Sequence, residues 1–155
     1  MALLTQSSHH IDVEIGEGDD EPSWRLTGLY GWPETQHKLK TCELLRDVKP
    51  RSTLPWLLGG DLNEILYHHE KSGGSLKLNY VLEEFQQTLA ECELMDLGYA
   101  GSDYTWWNRR GGQALMQERL DKFCGNVDWV ARFSSFRVTH LDKKLSDHLP
   151  ITIDT

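Results

Sequence analysis

The spacing of apolar and polar residues changes several times along this chain, and each change marks an element. Residues His10–Ile15 alternate polar and apolar, the two-residue period of a half-exposed strand. Residues 16–22 read as an acidic, glycine-containing loop. Trp24–Tyr30 supplies the next strand, so the pair predicts an antiparallel hairpin that Gly31-Trp32-Pro33 ends. Leu39, Cys42, Leu45 and Val48 recur at helical spacing and predict a helix over 34–48, stopped by Pro50. Residues 56–60 are apolar on both faces, which predicts a short buried strand. Residues 71–75 read as a loop. Val81, Phe85, Thr88, Leu89 and Cys92 share one face of a helix predicted over 79–94, with Gly98 soon after it. Residues 103–107 and 117–123 read as strands around a tip at Arg109-Arg110-Gly111-Gly112. Asn126 is placed to cap a short helix reaching Phe133, and 136–140 and 150–153 read as closing strands. Strands mixed with helices, many joined by hairpins, predict a layered α/β domain with a mixed sheet.

Composition narrows the class. The chain has 155 residues, 39% hydrophobic and 26% charged, enough for one domain with a real core. No apolar run approaches the ~20 residues that span a bilayer, and the N-terminus has no basic and long apolar segments of a signal peptide. The expected location is therefore intracellular, in nucleus or cytoplasm, with no membrane partner. Cys42, Cys92 and Cys124 are odd in number and far apart, which favours reduced thiols.

The net charge of −8 is unevenly spread. Residues 1–21 hold six acids and no Lys or Arg, and the remaining 18 acids face 16 bases. The acidity is thus local. It leaves a polyanionic substrate open where a metal supplies positive charge, and it argues against tight nonspecific DNA binding, which needs many cation–phosphate contacts.

Three short segments carry candidate chemistry. In Gly60-Asp61-Leu62-Asn63, residues i and i+2 of an extended chain point to one side. Asp61 and Asn63 can therefore converge on one point, the carboxylate suiting Mg²⁺ or an attacking water and the amide a phosphate oxygen; a plain tight turn would use the same residue types. In Ser146-Asp147-His148, the histidine can move protons near neutral pH. Asp121, in Arg119-Leu120-Asp121, sits in an otherwise apolar strand pattern and needs a partner if buried; His148 is the natural one. Arg109 and Arg110 at a hairpin tip can contact phosphate, and Trp106 and Trp107 can stack on a base. The pairs His9-His10 and His68-His69 lack a recognised metal spacing.

Gly-Asp-x-Asn, Arg-Leu-Asp and Ser-Asp-His in this order resemble the endonuclease/exonuclease/phosphatase superfamily. Tyr30, in Leu29-Tyr30-Gly31, matches a tyrosine that apurinic endonucleases use on phosphate. The segments Trp24-Arg25-Leu26-Thr27-Gly28-Leu29-Tyr30-Gly31, Glu70-Lys71-Ser72-Gly73-Gly74, Tyr104-Thr105-Trp106 and Glu118-Arg119-Leu120-Asp121-Lys122-Phe123 resemble the endonuclease regions of plant LINE-type non-LTR retrotransposons. The resemblance runs from about His9 to Ile153. It implies an α/β (α+β) fold, part of a four-layer α/β sandwich with mixed, mostly antiparallel sheets flanked by helices. It also implies a Mg²⁺- or Mn²⁺-dependent phosphodiesterase that nicks DNA. Asp61 would position or deprotonate water, Asn63 would hold phosphate or that water, and Asp121 would orient His148. His148 would stabilise developing charge or transfer a proton. Tyr30 would touch the scissile phosphate, and Asp147 would join Asp61 in binding metal. Arg109 and Arg110 would bind substrate.

The same family has an earlier segment with an Asn-bearing strand and a Gln-Glu-x-Lys type motif whose glutamate ligates metal. Residues 1–8 match neither, so the sequence reads as a single, N-terminally truncated domain over residues 1–155. Weakened metal binding, exposed sheet edges, self-association or dependence on a missing N-terminal segment are the corresponding expectations, and a reverse transcriptase region would belong downstream in a full element. Two rivals share the motifs: a non-catalytic remnant or partner-dependent module, and a phosphatase for small phosphate esters.

Overall fold

The computed structural model describes residues 1–16, 22–142 and 145–155, so most of the expected acidic loop lies outside the described residues. Strands β1 (Ala2–Gln6), β2 (His10–Ile15) and β3 (Trp24–Tyr30) lead into helix α1 (Leu39–Val48) and strand β4 (Trp56–Asp61). Strand β5 (Lys71–Ser72), helix α2 (Asn79–Glu91) and strand β6 (Met95–Asp96) follow. Strands β7 (Trp106–Trp107), β8 (Gln117–Glu118) and β9 (Asp121–Gly125), helix α3 (Val127–Arg132) and strands β10 (Arg137–His140) and β11 (Ile151–Asp154) complete the described order.

The main sheet runs β1-β2-β3-β4-β9-β6, beside a small sheet β5-β8-β7 and the hairpin β10-β11. β3 and β4 pair in parallel, and the other pairings among the described strands are antiparallel. A parallel pair needs a crossover, and α1 supplies it. The architecture is therefore the expected one: mixed, mostly antiparallel sheets flanked by helices.

Helices α1 and α2 cover one face of the main sheet. Cys42, Leu45 and Val48 of α1 and Phe85 and Leu89 of α2 pack with Leu29, Trp56, Leu58 and Cys124 of the sheet in one core cluster. Burial of this kind stabilises by roughly 25 cal/mol per Å² of apolar surface. Asn126 caps α3 by accepting from the Trp129 amide at 2.9 Å. The same carbonyl accepts from the Trp56 amide at 2.8 Å, which ties the cap to the start of β4.

Four differences from the sequence reading have physical causes. β1 was not anticipated; it is an edge strand with Leu3 56% exposed, so it carries little periodic signal. α1 begins at Leu39, after a separate 3-10 turn over Thr35–His37. Lys71 and Ser72, read as loop, pair with β8. In β2 burial does not follow hydrophobicity: Asp12 is fully buried and Val13 is buried beside it, while Ile11 is 56% exposed. The polar side of this hairpin faces α1. Arg25 donates to both carboxylate oxygens of Asp12 at 2.8 Å and to the Val48 carbonyl at 2.6 Å. Thr27 donates to Asp12 at 2.7 Å. Among the described residues no helix is long and apolar enough to cross a membrane.

Candidate active site

The strand register assembles the site. Tyr30 of β3 lies opposite Asp61 of β4, and Asp61 lies opposite Asp121 of β9. The three form one row across the sheet, on the face turned away from α1 and α2. Two glycines shape the end of β4. Gly60 has φ +139°, and a Cβ there would meet the Leu29 carbonyl oxygen at 2.1 Å. At Gly31 a Cβ would lie 2.2 Å from the Leu62 carbonyl oxygen, so β3 and the segment after β4 approach closely only because side chains are absent.

Beyond Asp61 the chain turns. Asn63 takes φ +53°, a left-handed conformation that asparagine tolerates better than most residues. Its amide N–H donates to Asp61 Oδ1 at 2.7 Å, and its side-chain Nδ2 donates to the Gly31 carbonyl at 2.7 Å. The Lys38 ammonium donates to the Asn63 carbonyl. Asp121 is fixed from the other side: the fully buried Thr105 hydroxyl accepts from the Leu120 and Asp121 amides, each at 3.0 Å.

His148 arrives on a segment zipped to residues 105–107. Leu149 N–H donates to the Thr105 carbonyl at 2.7 Å, Trp107 N–H to the Asp147 carbonyl at 3.2 Å, and Trp106 bridges His148. His148 Nδ1 lies 2.9 Å from Asp121 Oδ2. A carboxylate partner makes Nδ1 the donor. His148 Nε2 then points to Asp61, whose Oδ2 is 3.9 Å away. That gap is too long for a direct hydrogen bond, and a water beside it can contact both groups.

The charges are unevenly compensated. Burial pushes the Asp61 carboxyl above its ordinary pKa, and the Asp121 charge adds to the shift against the Asn63 amide, His148 and Lys38. The hydrogen bond to Asp121 raises His148, opposed by desolvation and helped by the charges of Asp121, Asp61 and Asp147. Burial lowers Lys38 although Glu64 opposes it. Asp61, Asp121 and His148 can each present one ligand atom within 4.8 Å of one another. Mg²⁺ takes oxygen ligands, commonly one or two carboxylates with waters and phosphate oxygens filling the octahedron. The Asp61 and Asp121 carboxylates fit that requirement.

Tyr30, Lys38, Asp61, Asn63, Lys77, Trp106, Glu118, Asp121 and His148 line one cleft of about 760 Å³. The structure thus brings together six of the residues singled out in the sequence: Tyr30, Asp61, Asn63, Trp106, Asp121 and His148. Asp147 stands outside this lining. Against a desolvation push, its own backbone amide, His148 and the Trp106 indole hold its carboxyl below the ordinary value. Arg109 and Arg110 line a neighbouring recess with Trp107, Leu145 and Ser146, and Ser146 also borders the cleft. Sequence reasoning missed Thr105, Lys38 and Lys77. Thr105 sits between two aromatics in Tyr104-Thr105-Trp106, a hint of a buried hydroxyl; the lysines join the site only through tertiary packing.

No protein-family model matches the sequence, and no curated protein matches it. The fold does match solved structures. The endonuclease domain of TRAS1, a telomere-specific non-LTR retrotransposon, superposes with TM-score 0.70 at 20% identity, covering 94% of this chain and 63% of that one. Sphingomyelinase C from Streptomyces griseocarneus gives 0.63 at 15% identity, over 93% of this chain and 56% of the other. A mutant of Staphylococcus aureus beta toxin with bound magnesium ions gives 0.54 at 15% identity, over 94% and 53%. The fold is that of endonuclease/exonuclease/phosphatase proteins. The chain spans less than two thirds of each of these three relatives.

Proposed function

We propose that this chain is a divalent-metal-dependent phosphodiesterase that nicks DNA. The observation that carries the reading is the line Asp121–His148–Asp61, with Nδ1 held at 2.9 Å and Nε2 facing a 3.9 Å gap, in a cleft shared with Tyr30 and Asn63. A phosphoryl oxygen at Nε2, outside the line to Asp61, would accept from a protonated imidazole. Asp61, facing the cleft beside that nitrogen, is placed to orient an attacking water and take its proton. A new oxygen–phosphorus bond then forms as the bond to the leaving oxygen breaks, in line with it, and the leaving oxygen takes up a proton from solvent. The Asp121 carboxylate holds the His148 tautomer and supports its charge. The second N–H of the Asn63 amide and the Tyr30 hydroxyl are the groups that would hold the non-reacting phosphate oxygens. Asp61 and Asp121 would hold Mg²⁺ or Mn²⁺. When bound, the metal would offset charge building on the phosphate and leaving oxygens. Asp147 is assigned to orienting the turn that carries His148, and Arg109 and Arg110 to an outlying backbone contact.

DNA is preferred as substrate because the sequence motifs resemble retrotransposon endonucleases and the fold matches one. The test is conversion of supercoiled plasmid to open circle with Mg²⁺ and with EDTA. The wild-type chain is expected to nick only with Mg²⁺, and His148→Ala to be slower by about 10²-fold or more, the usual worth of a donor that stabilises developing charge. Nicking that survives EDTA or is unchanged in His148→Ala would overturn the reading.

A further inference from the structure

One wall of the cleft is built from buried charges that the mechanism above does not use. Lys77 Nζ lies 3.2 Å from both Glu64 Oε1 and Glu118 Oε1. Lys71 Nζ lies 3.0 Å from the same Glu118 oxygen. Lys38 Nζ is 4.0 Å from Glu64 Oε2 and donates to the Asn63 carbonyl. The carboxylates are buried, with side-chain exposures of 2% for Glu64 and 6% for Glu118. Lys38 and Lys77 keep 12% and 22%, and both line the cleft.

Burying two carboxylates is costly unless they are paired, and here they are over-paired. Three ammoniums meet two carboxylates, which leaves one positive charge on this wall. An ammonium has three donors; Lys77 uses two on Glu64 and Glu118 and keeps one. The arrangement fixes cations at set positions, where long lysine side chains on a surface would be mobile. Past the lysines, a smaller pocket of about 180 Å³ shares Lys38, Glu64 and Lys77 and is bordered by Leu76, Leu78 and Tyr80. These three are 79%, 58% and 61% exposed. Cation next to an uncovered apolar recess is the polarity of a phosphate followed by its nucleoside.

We propose that Lys38 and Lys77 form a subsite for the backbone phosphate next to the scissile one, with the adjoining recess taking that nucleotide's sugar and base. The subsite deepens the phosphodiesterase reading and rests on it for the position of the scissile phosphate. It makes the substrate a polynucleotide rather than a small ester with a single phosphate, which has no second phosphate unit to place there.

The test measures binding apart from cleavage. Affinity of a fluorescent duplex oligonucleotide is followed by anisotropy over about 50 to 200 mM salt, in EDTA and again with Ca²⁺. Each phosphate contact contributes about 0.9 to the slope of log K against log salt. Lys77→Met alone would strand buried carboxylates, so it is paired with Glu118→Gln, which keeps the net local charge and leaves Lys71 an amide oxygen as acceptor. The folded double variant, checked by circular dichroism and melting, is expected to lose about 0.9 of slope. Lys77→Arg is expected to retain the slope. A folded double variant with the wild-type slope would overturn the subsite, as would a wild-type chain that binds no oligonucleotide in either condition. A chain that binds with a Lys77-dependent slope yet does not nick plasmid would keep Lys77 as a backbone-phosphate contact and remove the endonuclease reading alone.

Discussion

Two aspartates lie on opposite faces of the same sheet and are treated in opposite ways. Asp12, on the face covered by α1, is sealed and fully satisfied: Arg25 grips both oxygens and Thr27 adds a third bond. Arg25 in turn donates to the carbonyl of Val48, the last residue of α1, where a cation also complements the helix dipole, and it sits 4.2 Å from the ring centre of Trp56. Asp61, on the other face, has a like charge beside it and a histidine too far for a direct bond. The first arrangement spends every acceptor on holding the fold. The second leaves acceptors and charge unspent, which is what a ligand needs. The contrast shows that burial of an acid is no guide to function; the state of its partners is.

Three experiments press on this contrast. Arg25→Met should be the largest in effect, because it leaves Asp12 charged and unpaired in the interior: a loss of roughly 3–5 kcal/mol in urea unfolding is expected. A loss below about 1 kcal/mol would mean that the Asp12 network does not hold the hairpin to α1. Thr105→Val comes next. It removes the acceptor shared by two amides and should cost about 1–3 kcal/mol, with nicking reduced through a loosened Asp121; a variant of unchanged stability and activity would remove Thr105 from the site's support. The smallest effect is a titration. The His148 pKa is raised above 6.5, so its contribution to stability is full below pH 6.5 and is lost as pH rises through the folded-state value. Histidine NMR resonances should show a midpoint above 6.5 for His148, and Asp121→Asn should lower it. An unmoved midpoint in Asp121→Asn would deny the Asp121–His148 bond.

Much of this was legible in the sequence, and for identifiable reasons. The run Trp56-Leu57-Leu58 announces a buried strand because both its faces are covered, and the acid that follows marks its exposed end. The Asn126 cap and the hairpin of β2 and β3 follow from local rules. What stayed hidden is long-range. Alternation in β2 gives two faces but not how deeply each is covered, and the buried Arg25 draws Asp12 inside as well as Val13. Nothing local ties Lys77 to Glu118, or Thr105 to Asp121, because those contacts exist only once the strands are in register. Asp147 shows the converse: its neighbour His148 enters the cleft, and Asp147 does not line it.

The geometry at Gly60 bears on how sequence records of such a site should be read. A Cβ at this position would collide with the Leu29 carbonyl oxygen, so a library selected for solubility alone would still return glycine there. Asn63, at φ +53°, would be restricted in the same screen to the few residues that accept this backbone. Part of the Gly-Asp-x-Asn signature would therefore persist in descendants that had lost all chemistry. Persistence of Asp61 beside them is the informative observation: the Asn63 amide needs an acceptor there, and an asparagine would supply one without the charge.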